Sequence, residues 1–278
     1  MITTRLIPCV FTIGNMVIQS RSFARHQPIG KISAAVQYFS NWDVDEIIII
    51  DIAATKTKRP PNLELIEAST DYATIPVTVG GGINTLEQIR DLLSAGADKV
   101  SLNSIARRDP SFVRKASDKF GSQSIVVSVD AKAHNEDWFL YDHQRKEMTN
   151  VSIIEFIEDM EAQGAGEILL NSVDKDGSGH GYDCSLISAV TSRANIPVIA
   201  LGGAGSASHM AEAALKGGCQ AVAAANFFNH FEHSTIFIKD QLASLGVDIR
   251  RGEGIQYSAY IGDYTGRPIR KEAHRAAL

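Results

Sequence analysis

Eight short apolar runs, none with polar alternation, constrain this chain more than any other feature. They are "RLIPCVF" (5–11), "EIIIIDIA" (46–53), "IPVTVGG" (75–81), "DKVSLNS" (98–104), "SIVVSVDA" (124–131), "EILLNSVD" (167–174), "IPVIALGG" (196–203) and "QAVAAAN" (220–226). A strand with one face in water alternates apolar with polar residues. A strand covered on both faces does not, and such strands belong to parallel sheets packed by helices. The segments between the runs carry helical patterns. "NTLEQIRDLLSAG" (84–96) has Asn84 placed as a cap, Glu87 three residues on and a terminal Gly, and "SASHMAEAALKGG" (206–218) follows the same plan. Eight strands alternating with helices predict an α/β chain folded as a single closed (β/α)8 barrel. The 278 residues suit one such barrel of roughly 250 residues.

The two halves of the chain repeat. "IPVTVGGGINTLEQIRDLLSAGADKV" (75–100) resembles "IPVIALGGAGSASHMAEAALKGGCQAV" (196–222), an offset of about 120 residues. A period this long reads as two related half-barrels. The same offset pairs "IPCVF" with "VSVDA", so Phe11 is the counterpart of Asp130. "NEDWFLYDHQRKEMTN" (135–150) reads as a short hairpin inserted after strand 5. Residues 1–250 are assigned to the barrel. Residues 251–278 form a tail without periodicity, expected to be loosely ordered.

A net charge of −5 gives no broad basic surface for nucleic acid or an anionic membrane. Arg267, Arg270 and Lys271 make one local basic cluster, read as a solvated terminus. Cys9, Cys184 and Cys219 have no paired spacing, so neither a disulfide framework nor a zinc site is expected. Reduced thiols and a cytoplasmic setting follow. No motif calls for a cofactor or metal. The start "MITTRLIPCVF" has too short an apolar run for a signal peptide, and no run has the length of a membrane span.

In a barrel of this kind, chemistry gathers where the strands end. Those ends carry Phe11, Asp51, Gly80 to Gly82, Asn103 and Ser104, Asp130 and Lys132, Asn171 to Gly177, Gly202 to Gly205, and Ala225 and Asn226. Glycine lets backbone N–H groups approach an anion, and a following helix N-terminus favours negative charge. Gly81 and Gly82 with Asn103 and Ser104 make one candidate phosphate cradle. Gly202 and Gly203 with Ala225 and Asn226 make a second, related by the repeat. The pair would suit a ligand with a phosphate at each end. The other account is that these glycines only relieve crowding at strand–helix turns. Asp130 reads as a general acid or base, or as a hydrogen-bond anchor for neighbouring loops. Asp176 caps a helix or fixes its loop, His180 is a loop residue, and Cys9 is core.

The strand starts carry Arg5, Glu46, Lys99 and Glu167. Four charges on the floor of a barrel read, from the residues alone, as a salt-bridged plug.

The series "RLIPC", "DEIIIIDI", "VGGGI", "GADKVSLN", "FGSQSIVVSVDAK", "GAGEILLNSVDKDG" and "IPVIALGGAG", in that order, resembles the cyclase subunit of imidazole glycerol phosphate synthase, a lyase of histidine biosynthesis, over about residues 1–250. The resemblance implies a glutaminase subunit docked on the barrel floor. Ammonia released there passes a ring of four charged residues and crosses the barrel to a ribonucleotide with two phosphates. It places Arg5, Glu46, Lys99 and Glu167 in that ring and Asp98 at the partner interface. Gly82, Asn103, Asp176, Gly177 and Gly203 fall in the phosphate sites, and Asp130 is one of two catalytic acids.

The departures lie on the opposite, catalytic face. Phe11 stands where the family has its other acid. Gln19 replaces a substrate-binding lysine, and the first loop, "TIGNMVIQS", lacks the family's charged start. Asn171 replaces a threonine and Leu201 a serine. A phenyl ring transfers no proton, and loss of a general acid or base costs about 10²–10⁴ in rate. These features resemble a paralogous group found with surface-polysaccharide genes. In that group the barrel and its glutaminase supply ammonia to a third, amidotransferase protein, which turns a sugar acetamido group into an acetamidino group. The expectation is an ammonia-conducting barrel, the alternative a genuine cyclase.

Overall fold

The structure, a computed structural model, describes residues 3–21, 25–230, 234–253, 255, 257, 260–262 and 268–270. Eight parallel strands close into a barrel: strand 1 (Arg5–Ile13), strand 2 (Ile47–Asp51), strand 3 (Val77–Gly80), strand 4 (Lys99–Leu102), strand 5 (Ile125–His134), strand 6 (Glu167–Ser172), strand 7 (Val198–Leu201) and strand 8 (Ala221–Ala224). Strand 8 pairs with strand 1, and strand 5 with strand 6, so this sheet has no open edge. Each apolar run of the sequence supplies one strand.

Alternation along the strands separates two cores. One set of side chains points out against the helices, among them Leu6, Val10, Ile47, Ile49, Val127 and Leu170. The other fills the barrel interior with Ile7, Cys9, Phe11, Ile48, Val126, Leu169, Ile199, Leu201, Ala221 and Ala223. Cys9 is buried there, and burial drives its thiol pKa up, so it serves as core.

The helix of 84–96 spans Leu86–Ser94, and its cap is Thr85 rather than Asn84. Thr85 accepts from the Gln88 backbone while the Gln88 side chain accepts from Thr85 N–H. Gln88 therefore completes the capping box in place of Glu87, because the helix starts one residue later than the pattern implied. The inserted segment after strand 5 is a hairpin, Asp137–Asp142 with Glu147–Ser152, continuing the sheet from strand 5. "TIGNMVIQS" is not an open loop. Strand 1 turns at Gly14–Asn15 into Met16–Arg21, which pairs with Arg25–Lys31. Gly14, at φ 61, supplies the conformation that the first position of a two-residue hairpin turn requires.

The expectation of a loosely ordered tail falls mostly on residues outside the described ones. Ile249 bridges Thr4 beside strand 1, and Tyr260–Gly262 pairs with Pro268–Arg270. Tyr257 is buried and donates to Asp43. Asp43 and Asp45 flank Lys239, a fully buried ammonium, at 3.5 and 3.1 Å. Tyr257 is thus tied to a buried charge cluster on the floor side. Arg267, Lys271 and the side chain of Arg270 lie outside the described residues. Among the described residues no helix is long and apolar enough to cross a membrane, and no group of three or more His, Cys, Asp or Glu side chains is placed to hold a metal ion.

Candidate functional site: a charged floor and a divided mouth

The four charges at the strand starts form a closed cycle. Arg5 Nη1 lies 2.9 Å from Glu46 and 3.1 Å from Glu167, and Lys99 Nζ lies 2.9 Å and 3.1 Å from the same two carboxylates. Signs alternate around the ring, so each charge faces two opposite ones. Glu46 is the most buried, at 2% exposure, and its second oxygen accepts from Thr78 Oγ1 at 2.6 Å. The plug expected from the residues is present, and it closes the floor. Asp98, beside it, is exposed on the same side; one of its oxygens accepts from Val77 N–H at 2.8 Å.

Above this ring the interior is lopsided. Strands 1, 2, 6, 7 and 8 contribute Cys9, Ile48, Leu169, Ile199 and Ala223. By alternation from Lys99 and Asp130, strands 4 and 5 contribute Ser101 and Ser128, and strand 3 contributes Thr78. Thr78 and Ser101 are buried, whereas Ser128 is half-buried between fully buried neighbours. Its accessible surface therefore opens onto space within the barrel. A polar seam runs from Glu46 through Thr78, Ser101 and Ser128 toward Asp130.

The mouth is divided in the same way. On one side Phe11 and Leu201 pack with Ile18, delivered by the hairpin after strand 1. Asn226, expected in the second cradle, lines the recess at that glycine turn and also clips this hairpin down: its amide donates to Ser20 O and accepts from Ser20 N–H. On the other side Asp130 sits at 6% exposure among donors. It accepts from Asn103 Nδ2 at 2.7 Å, from Asn171 Nδ2 at 2.9 Å and from His143 Nε2 at 2.7 Å. Burial raises the Asp130 pKa, but the His143 charge and these hydrogen bonds outweigh it, so the carboxyl is held below its ordinary value. His143 responds in the opposite sense. Burial lowers its pKa, and the Asp130 charge more than restores it, leaving the imidazole above its ordinary value.

His143 was not among the residues singled out from sequence. It lies in the turn of the inserted hairpin, and a lone histidine in a polar turn carries no pattern. The signal was beside it in "YDHQ": an aspartate opening a turn binds its own backbone. Asp142 accepts from Gln144 N–H at 2.8 Å and Arg145 N–H at 3.2 Å, and pairs with Arg107 at 2.5 Å. Trp138 Nε1 donates to Asp183 at 3.0 Å, seating the hairpin on the loop after strand 6. Lys132 pairs with Asp174 at 3.1 Å. His180 is exposed on that loop, as expected.

Both glycine pairs adopt positive φ: 106° and 75° at Gly81 and Gly82, 96° and 103° at Gly202 and Gly203. A Cβ at Gly81 would meet Asp51 O at 2.3 Å, and one at Gly203 would meet Gly181 O at 2.1 Å. Backbone conformation and crowding are sufficient reasons for glycine at both turns. Ser104 opens a helix of only five residues, Ser104–Arg108. The second turn borders a recess lined by Asp176, Gly177, Leu201, Gly202, Gly203 and Ala225. Asn171 Oδ1, 4% exposed as a residue, has no hydrogen-bond partner among the described residues. Flipping the amide would turn that oxygen onto the Asp130 carboxylate, so the donor-to-Asp130 orientation stands.

Residues 5–235 match the family model described as histidine biosynthesis protein. A Vibrio vulnificus protein carrying the name imidazole glycerol phosphate synthase subunit hisF2 is 48% identical over 268 residues, 96% of this chain and 98% of that protein. The imidazole glycerol phosphate synthase subunit HisF of Endomicrobium trichonymphae is 42% identical over 253 residues, 90% of this chain and 96% of that protein. With the closed parallel barrel and the charged floor already in view, the chain belongs to the histidine biosynthesis protein family, among the homologues of imidazole glycerol phosphate synthase subunit HisF.

Proposed function

We propose that this barrel docks a glutaminase subunit on its floor and conducts ammonia through its interior, in the cytoplasm, to an amidotransferase protein acting on a sugar of a surface polysaccharide. The observation that carries this reading is the closed four-charge ring beneath a polar interior seam. A ring of alternating charge shuts the floor to bulk water and can part for a small neutral molecule. Thr78, Ser101 and Ser128 offer hydrogen bonds to a molecule the size of ammonia. The unpartnered Asn171 Oδ1 at the exit suits an N–H donor. Phe11 and Leu201 at the mouth supply no proton, which favours conduction over cyclisation. The glycine turns serve as inherited phosphate cradles, filled by a phosphorylated ligand if one binds above the mouth.

The second reading is a working cyclase. It is favoured by the retained Asp130 and by the similarity to the Endomicrobium subunit. One experiment separates the two. The purified chain is given the cyclase ribonucleotide with ammonium, and then with glutamine and a glutaminase subunit. Conduction predicts negligible cyclisation in both arms and stimulated glutamine hydrolysis in the second, with stimulation lost in Lys99→Ala. Cyclisation at about 1 s⁻¹ or faster would overturn it, and so would failure of any glutaminase subunit to bind.

A further inference from the structure

We infer that His143 is the proton-exchanging group of the barrel mouth, and that Asp130 serves it as a fixed carboxylate rather than as an acid. The assignment does not depend on whether ammonia reaches the mouth.

The geometry around Asp130 is the first ground. Two of its three polar neighbours, the amide nitrogens of Asn103 and Asn171, are fixed donors, one on each oxygen, and the third, His143 Nε2, lies 2.7 Å from Oδ2. The amide nitrogens of Asn103 and Asn171 only donate. A proton between Oδ2 and His143 Nε2 can sit on either atom, but on Oδ2 it would weaken the bonds that the two fixed amide donors make to a charged carboxylate. A buried carboxylate stripped of a charge-assisted bond loses more than a surface one. The proton shared by the pair therefore rests on the imidazole.

The second ground is access. The His143 side chain is 32% exposed and that of Asp130 only 7%. A ligand above the mouth meets the imidazole, with the carboxylate behind it. This is the order of a carboxylate-backed histidine, in which the buried acid fixes the ring and its tautomer.

The third ground is rigidity. Asp142, held by two backbone N–H groups and Arg107, sets the turn that aims the ring, and Tyr141 packs edge-on to it at 5.0 Å. Charges face the imidazole from several elements: Asp130 on strand 5, Asp142 on its own hairpin and Asp176 on the loop after strand 6. Cations on the surrounding elements are engaged with other groups: Arg107 on Asp142, Arg145 on Asp142 and Glu147, and Lys132 on Asp174 and the Tyr141 ring. The surroundings favour the protonated form of the ring.

The test is a titration of the intact chain with carbon-13 in its histidine rings and aspartate carboxyls, followed by nuclear magnetic resonance. His143→Gln and Asp130→Asn identify the two signals. His143 should titrate above the ordinary histidine value, and its midpoint should fall by about one unit or more in Asp130→Asn. From pH 5 to 8 the Asp130 carboxyl signal should show only the small displacement caused by its neighbour's titration, well short of the shift of a carboxyl gaining its own proton. A His143 midpoint unmoved by Asp130→Asn, or an Asp130 carboxyl that titrates in that range, overturns the assignment. Should Asp130→Asn fail to fold, Asp130→Glu identifies the carboxyl signal, and that signal in the unmodified chain decides in either direction.

Discussion

Glu46→Gln is the sharpest probe of the charged floor. Glutamine keeps the volume of glutamate and an oxygen able to accept from Thr78 Oγ1, now 2.6 Å away. What it removes is one negative charge shared by Arg5 and Lys99, each at 2.9 Å. The ring then holds two cations against Glu167 alone. The single oxygen of the glutamine can accept either from Thr78 or from the two cations, not from both. Breaking a buried ion pair by deleting one partner costs about 3–5 kcal/mol. Arg5 and Lys99 keep Glu167 and are 22% and 16% exposed, so solvent relieves part of the excess charge. The lower end, about 3 kcal/mol, applies. For a chain of this size each kcal/mol moves the midpoint of thermal unfolding by about 2–4 °C, so Tm should fall by about 6–12 °C. Differential scanning calorimetry at low ionic strength measures it. A Tm within about 1 °C of the unmodified chain would refute the reasoning, because it would mean the cycle contributes nothing beyond exposed pairs.

Three further perturbations test other parts. Phe11→Asp trades a ring packed with Ile18 and Leu201 for a carboxyl with no donor beside it. It should cost about 3 kcal/mol or more by thermal melt, and ammonium-dependent cyclisation should stay undetected. Lys239→Met leaves Asp43 and Asp45 facing each other around an apolar side chain. Burial already raises the Asp45 pKa, with Lys239 acting against it. Without the ammonium the folded-state pKa rises further, so the loss of stability should be larger at pH 8 than at pH 5, as chemical denaturation at the two pH values will report. For the His143–Asp130 pair, the folded His143 pKa is raised, so its contribution is full below the unfolded value of about 6.5 and fades as pH climbs through the folded one. The Asp130 pKa is lowered, so its contribution is present above about 3.9 and fades as pH falls through the folded value. Amide hydrogen exchange in Asp137–Asp142, corrected for intrinsic rates, should be slowest between those limits.

The eight strands were legible because each is covered on both faces, which forces an apolar run that nothing else in the chain imitates. The floor ring was legible for a related reason. A strand start holds a fixed place in a barrel, so Arg5, Glu46, Lys99 and Glu167 could be put at one end without knowing any contact. His143 was not legible, because its place depends on how far the Asp137–Ser152 hairpin leans across the mouth. That lean is set by Trp138 on Asp183 and Arg107 on Asp142, contacts spanning 45 and 35 residues. The tail cluster was hidden likewise, since Lys239 meets Asp45 across 194 residues. The repeat made Phe11 look like the loss of one acid from a symmetric pair. With both halves of the mouth in view, Asp130 is engaged by Asn103, Asn171 and His143, on three different elements. Reversing Phe11 alone would return a carboxylate to an apolar half-mouth and leave Asp130 still engaged. Phe11→Asp therefore probes the apolar half of the mouth alone, and Asp130→Asn the polar half.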